Sequence, residues 1–114
     1  MKLEMFWVRA DSLSRTIRFY RDTLGWDEAW REGDLAMAFR MPGSDVQLMV
    51  DCDPDEGLTP GPFFRVESVD AFYEENRDRL NFVVQPKDIP PGRYAAFTDP
   101  TGNTLHIYDV TRES

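Results

Sequence analysis

Little in this sequence offers ready-made chemistry. Its 114 residues include one cysteine, Cys52, and one histidine, His106. A lone thiol cannot close an intramolecular disulfide, and no second Cys or His lies near it to build a metal knuckle, so Cys52 reads as a reduced, structurally incidental thiol. No stretch approaches the roughly 20 consecutive apolar residues that a membrane span needs. The start, Met1-Lys2-Leu3-Glu4, shows no apolar segment followed by a small-residue cleavage site, which makes a cytoplasmic location the default expectation. Basic residues are also short: 13 Lys and Arg stand against 21 Asp and Glu, a formal charge of -8. That balance disfavours nucleic acid, whose phosphates must be met by a basic surface, and no membrane partner is expected. A cationic or neutral small molecule stays open, and the plain reading of the charge is solubility.

What is present is enough for a folded core. A chain of 114 residues that is 41% hydrophobic and 13% aromatic suits one compact domain over 1–114 and is too short for two independent ones. Residues Lys2 to Ala10 predict a strand, and Asp11-Ser12 can cap the helix that follows. Its apolar residues fall at Leu13, Ile17, Tyr20 and Leu24, one helical face, before Gly25 ends it. Trp26 to Arg31, Leu35 to Met41 and Asp45 to Asp51 then read as three strands parted by turn residues, an antiparallel meander. Residues 52–60 are acidic and carry prolines and glycine without periodicity, as a linker does.

After the linker the order repeats. Phe63 to Glu67 predicts a strand, Ser68 a cap, and Val69, Phe72, Tyr73, Asn76 and Leu80 a helical stripe. Phe82 to Pro86, Tyr94 to Thr98 and Thr104 to Val110 give three more strands. Between the last two, Asp99-Pro100-Thr101-Gly102-Asn103 is the strongest turn signal in the chain. Phe19-Tyr20 and Phe72-Tyr73 match, as do Pro42-Gly43 and Pro100 to Gly102, at offsets of about 53 to 59 residues. The chain thus reads as α+β, two tandem βαβββ modules of about 1–51 and 61–114.

The strand followed by Ser14 to Trp26, the Val66-to-Tyr73 entry into the second helix, and Asp99 to Asn103 leading into a strand occur here in one order. In them nearly the whole chain resembles the vicinal oxygen chelate superfamily, which includes glyoxalases, bleomycin-resistance proteins and extradiol dioxygenases. The resemblance implies curved mixed sheets around a groove, helices on the outer faces, and a homodimer. It is far more specific for fold than for function, because one scaffold hosts unrelated sites.

Metal-dependent members of that family place ligands on the first and fourth strands of each module, and those positions fall on Met5, Gln47, Gly61 and His106. The resemblance therefore implies a poor metal site. One imidazole and one amide, His106 and Gln47, are the only weak candidates, Gly61 has no side chain, and Glu4 is one residue off register. No cofactor is expected. His106 remains open to three readings: a strand histidine that satisfies a polar neighbour, a hydrogen-bonding group for a bound molecule, or a base or metal ligand.

Strand alternation extends these positions into a wall. With Met5 go Trp7 and Arg9; with Gln47, Met49; with Gly61, Phe63 and Arg65; with His106, Thr104 and Tyr108. Trp30, Met37 and Phe39 are further candidates. The opposite set, Phe6, Val8, Val46, Leu48, Val50, Phe64, Val66, Leu105 and Ile107, suits packing beneath the helices. Flat apolar surface with a few polar groups is what small-molecule pockets offer, and a collapsed interior packed with the same aromatics is the competing reading. Arg9 and Arg65 weigh against collapse, since buried guanidinium groups need partners such as Asp51, Glu28 or an anion.

Two functions follow. The first is a binder of an aromatic or amphipathic small molecule, similar to the bleomycin-resistance branch and independent of metal. The second is a metal-dependent lyase, isomerase or dioxygenase of the same superfamily, with ligands from His106, Gln47 and solvent or a partner chain. A cofactorless enzyme with His106 as base lacks a second supporting residue.

Overall fold

Two serines start the two helices, as their positions predict. A computed structural model describes residues 1–52 and 59–112; of the expected linker, residues 53–58 lie outside the described residues. Strand β1 (Lys2–Arg9) leads to α1 (Leu13–Ile17), which continues as a π-helical turn over Arg18–Thr23, and then to β2 (Asp27–Glu32), β3 (Ala36–Arg40) and β4 (Gln47–Asp51). Next come β5 (Gly61–Arg65), α2 (Val69–Asn76), β6 (Asn81–Ile89), β7 (Gly92–Thr98) and β8 (Thr104–Tyr108). The chain divides into two compact units, residues 4–60 and residues 61–114 with 1–3, called module 1 and module 2 below. No helix of the described residues is long and apolar enough to cross a membrane.

Module 1 is a mixed sheet in the order β2-β3-β4-β1. Hairpin neighbours β2, β3 and β4 pair antiparallel, and β1 lies parallel to β4 with Met5 opposite Gln47 and Trp7 opposite Met49. Module 2 repeats the arrangement as β6-β7-β8-β5, with β5 parallel to β8 and Phe63 opposite His106. Each sheet carries its helix on one face, the α+β architecture expected. Leu13, Ile17 and Tyr20 pack on Met37, Phe39, Val50, Val8 and Leu48 in module 1. In module 2, Val69 and Phe72 pack on Ala95, Phe97, Ile107, Phe64, Val66 and Leu105.

Several expectations need correcting. Met37 and Phe39 belong to the core under α1 and not to the opposite wall, because β3 sets them opposite Val50 and Leu48. Phe6 faces the helix side but is 41% exposed and outside the core cluster. Leu24 also misses its stripe, at 43% exposed. The π-helical turn explains this. Leu24 N–H donates to the Phe19 carbonyl five residues back, which widens the turn and rotates Leu24 outward. Trp26 takes the inward place, its ring 5.6 Å from that of Tyr20. Gly25, with φ 77°, ends the helix.

Strand β6 runs past the expected stop at Pro86 to Ile89. Pro86 is tolerated because the β6–β7 register shifts between Val84 and Lys87, and β6 pairs with no second strand inside its module. Strand β5 begins two residues early, at Gly61. A side chain there would run into the Thr104 carbonyl oxygen, so close strand approach demands glycine.

Candidate functional site

On the face of the module 1 sheet away from α1, cross-strand register sets two rows side by side. Trp30, Ala38, Met49 and Trp7 stand opposite one another across four strands, and Arg40, Gln47 and Met5 form the next row. A bulge in β2 between Glu28 and Trp30 brings Trp30 onto this face. Its indole N–H donates to Gln47 Oε1 at 2.9 Å. Trp7 is buried, whereas Trp30, Met5, Gln47 and Met49 are half-buried. Arg9 is exposed at the rim, its guanidinium carbon 5.9 Å from the Trp7 ring centre.

On the corresponding face of module 2 the aromatics close around the histidine. His106 is fully buried, with the Phe63 ring 4.5 Å away and within 5° of parallel. Its Nδ1 shares a 2.7 Å hydrogen bond with the hydroxyl of buried Tyr94. Tyr94 also stacks on Phe63 at 5.7 Å, and Tyr108 meets Phe63 edge-on at 6.3 Å. Lys87 Nζ lies 5.7 Å over Tyr94. Tyr94 is a residue that reading by families of positions missed, though its signal was legible: the five-residue turn 99–103 sets Thr98 opposite Thr104 and therefore Tyr94 opposite Tyr108, on the face of His106.

Alternation thus places Met5, Trp7, Gln47 and Met49 together in module 1, and Phe63, His106 and Tyr108 together in module 2. Arg9 and Arg65 are exposed, so neither is the buried guanidinium that would argue against a closed interior. Glu28, one of the partners suggested for them, instead accepts from Arg31 at 2.6 Å, and its backbone carbonyl accepts from Arg40 at 2.8 Å. Cys52 is half-buried, and burial, helped by Asp51 and Asp11, pushes its thiol up.

With this geometry in view, the model of one family, described as glyoxalase/bleomycin resistance protein/dioxygenase superfamily, matches residues 2–107. The chain belongs to that superfamily. Solved structures agree on the fold. A protein described as an NAD-dependent benzaldehyde dehydrogenase from Legionella pneumophila is 16% identical, with a TM-score of 0.77 over 94% of this chain and 98% of the other. Methylmalonyl-CoA epimerase from Mycobacterium tuberculosis is 20% identical, with a TM-score of 0.67 over 95% and 87%. A hypothetical protein from Bacillus halodurans is 14% identical, with a TM-score of 0.69 over 99% and 96%. Comparison with curated protein sequences gives no match.

Metal-dependent members of the superfamily would draw ligands from the positions of Met5, Gln47, Gly61 and His106, and these residues do not fit a metal. Of the four, the His106 imidazole is the one strong donor: Met5 offers a thioether, Gly61 has no side chain, and the Gln47 amide oxygen already accepts from Trp30 at 2.9 Å. Parallel pairing also gives Phe63, not Gly61, the place opposite His106 that Met5 holds opposite Gln47, so the fourth position is a phenyl ring or a bare backbone. Among the described residues no group of three or more His, Cys, Asp or Glu side chains gathers to hold an ion.

Proposed function

We propose that this member of the superfamily binds an aromatic or amphipathic small molecule, without metal, on the helix-free face of module 1. One observation carries the reading: Trp30 and Gln47, hydrogen-bonded at 2.9 Å and only half-buried, hold a polar group beside indole and thioether surface. Such a surface offers stacking area at small entropic cost and one directional contact. The Tyr94–His106 pair supports a division of labour. Its histidine is fully buried, stacked and bonded to a polar neighbour, which favours the satisfied strand histidine among its three readings and leaves module 1 as the binding face.

Fluorescence and calorimetric screening of planar aromatic compounds tests this. A ligand whose affinity is unchanged by EDTA, and is weakened by Trp30→Ala but not by His106→Gln, is the expected result. The competing metal-dependent enzyme predicts stoichiometric Fe, Mn, Ni or Zn in purified protein that is lost in His106→Ala, and that finding would overturn the proposal.

A further inference from the structure

From the Trp30–Gln47 contact, and resting on the proposed binding face, we infer that Trp30 is a positioning residue that fixes Gln47 as a hydrogen-bond donor, and that the ligand is a planar molecule carrying a carbonyl-type acceptor. An indole N–H can only donate. The amide atom facing it at 2.9 Å must therefore be oxygen, and the amide NH2 is turned the other way. This assignment follows from the chemistry of the partner, which removes the usual ambiguity of a glutamine flip.

The cross-strand neighbours of Gln47 give that NH2 nothing to bond. Met5, opposite on β1, offers only a thioether. Arg40, opposite on β3, is itself a donor and spends a guanidinium N–H on the Glu28 carbonyl at 2.8 Å. Among the described residues no protein acceptor meets Gln47 Nε2, and the side chain is only half-buried, so a molecule laid on this face reaches it. A carbonyl or ring acceptor completes the amide, whereas an N–H group without a lone pair to offer meets a second donor.

Two bicyclic probes of similar size separate the cases: coumarin, which only accepts hydrogen bonds, and indole, which only donates. Titration calorimetry should show coumarin binding roughly 3- to 10-fold more tightly than indole, the worth of one net hydrogen bond. Gln47→Glu keeps an acceptor for Trp30 but removes the donor, and should abolish or invert the preference. Trp30→Phe releases the amide to turn, and should shrink the preference while shifting the Gln47 side-chain amide signals in 1H–15N spectra. Indole binding as tightly as coumarin, a preference that survives Gln47→Glu, or Gln47 signals indifferent to Trp30→Phe each overturns the inference. Absence of binding by both probes overturns it too, and the wider aromatic screen then decides separately whether the binding face itself stands.

Discussion

Module 1 and module 2 share strand order and pairing, yet they secure the start of their helices in different ways. In both, the strand that ends the module is followed by a residue whose N–H donates back to the third strand's entry: Cys52 to the Leu35 carbonyl at 2.7 Å, and Asp109 to the Arg93 carbonyl at 3.0 Å. The two residues are thus equivalents with unlike side chains. Asp109 is buried and accepts from the N–H groups of Val69 and Arg93, both at 2.8 Å, and from the Thr111 hydroxyl at 2.9 Å. It ties the first turn of α2 to β7 and to the chain end. A thiol accepts poorly, so module 1 shows the serine cap, Ser12 Oγ accepting from Arg15 N–H at 3.3 Å, which Ser68 and Ala71 match in module 2 at 3.1 Å, without a carboxylate clasp beside it among the described residues. Regular α2 against the five-residue α1 with its π-helical turn follows the same contrast. Identical topology therefore does not require identical fastening.

Breaking the stronger clasp should have the largest effect. Asp109→Ala strands one buried and one part-buried backbone donor and is expected to cost about 3 kcal/mol, whereas Cys52→Ala, its counterpart, should cost under about 1 kcal/mol. Urea denaturation of the two variants beside the parent checks both numbers. Similar losses would mean that the carboxylate fastens nothing the thiol does not.

The two residues should also pull stability in opposite directions with pH. Burial pushes the Asp109 carboxyl up, but the N–H groups of Val69 and Arg93 with both donors of Thr111 outweigh it and leave it below the ordinary carboxylate value. Asp99 is lowered as well, by the Asn103 side-chain amide and N–H and by the N–H groups of Thr101 and Gly102. A carboxyl lowered on folding contributes stability that is fully present above its unfolded value of about 3.9 and drains away as pH falls through its folded value. Cys52 is raised, mainly by burial, so its contribution is fully present below the unfolded thiol value of about 8.5 and is lost as pH rises beyond it. Denaturation midpoints from pH 2 to 10 should show an acid fall that Asp109→Asn makes shallower and an alkaline fall that Cys52→Ala makes shallower. An unchanged acid limb in Asp109→Asn would contradict the assignment.

Between the two polar pairs, Trp30–Gln47 in module 1 and Tyr94–His106 in module 2, the effects are smaller, and module 2 should be the more sensitive. Tyr94→Phe removes the hydroxyl from a fully buried imidazole and should cost about 1 to 2 kcal/mol in urea, since no solvent replaces the lost partner. The wider spread of His106 ring signals that loss of a fixed partner brings would appear in the same sample by NMR.

How much of this could be read beforehand varied with the kind of signal. Ser12, Ser68, Gly25 and the Asp99 to Asn103 turn act over two to five residues, so local chemistry sufficed to place both helices and the last hairpin. Alternation along single strands correctly grouped Trp7 with Met49 and Val50 with the core. It failed where a helix loses its period, since the π-helical turn displaced Leu24, and alternation alone could not set the facing of Met37 and Phe39, which came from pairing with β4. The bulge that brings Trp30 beside Gln47 has no local residue signature, so that contact could not be anticipated. Asp109 escaped notice for a different reason. Its partners, Val69 and Arg93, lie 40 and 16 positions away, and a buried carboxylate becomes intelligible only when its donors are in place.

The smallest expected change sharpens the contrast between the Trp30–Gln47 and Tyr94–His106 pairs. Trp30→Phe deletes the indole N–H but leaves Gln47 half-buried, where water can supply a donor in its place. Its stability cost should stay near about 0.5 to 1 kcal/mol, below that of Tyr94→Phe, although the Trp substitution removes more atoms. Area alone predicts the reverse order, because burying an aromatic ring scales with its size. Parallel urea titrations of the two variants therefore separate the two accounts: a Trp30→Phe loss equal to or above that of Tyr94→Phe would show that packing outweighs hydrogen bonding on these faces, and that the Gln47 amide is held by its neighbours' bulk.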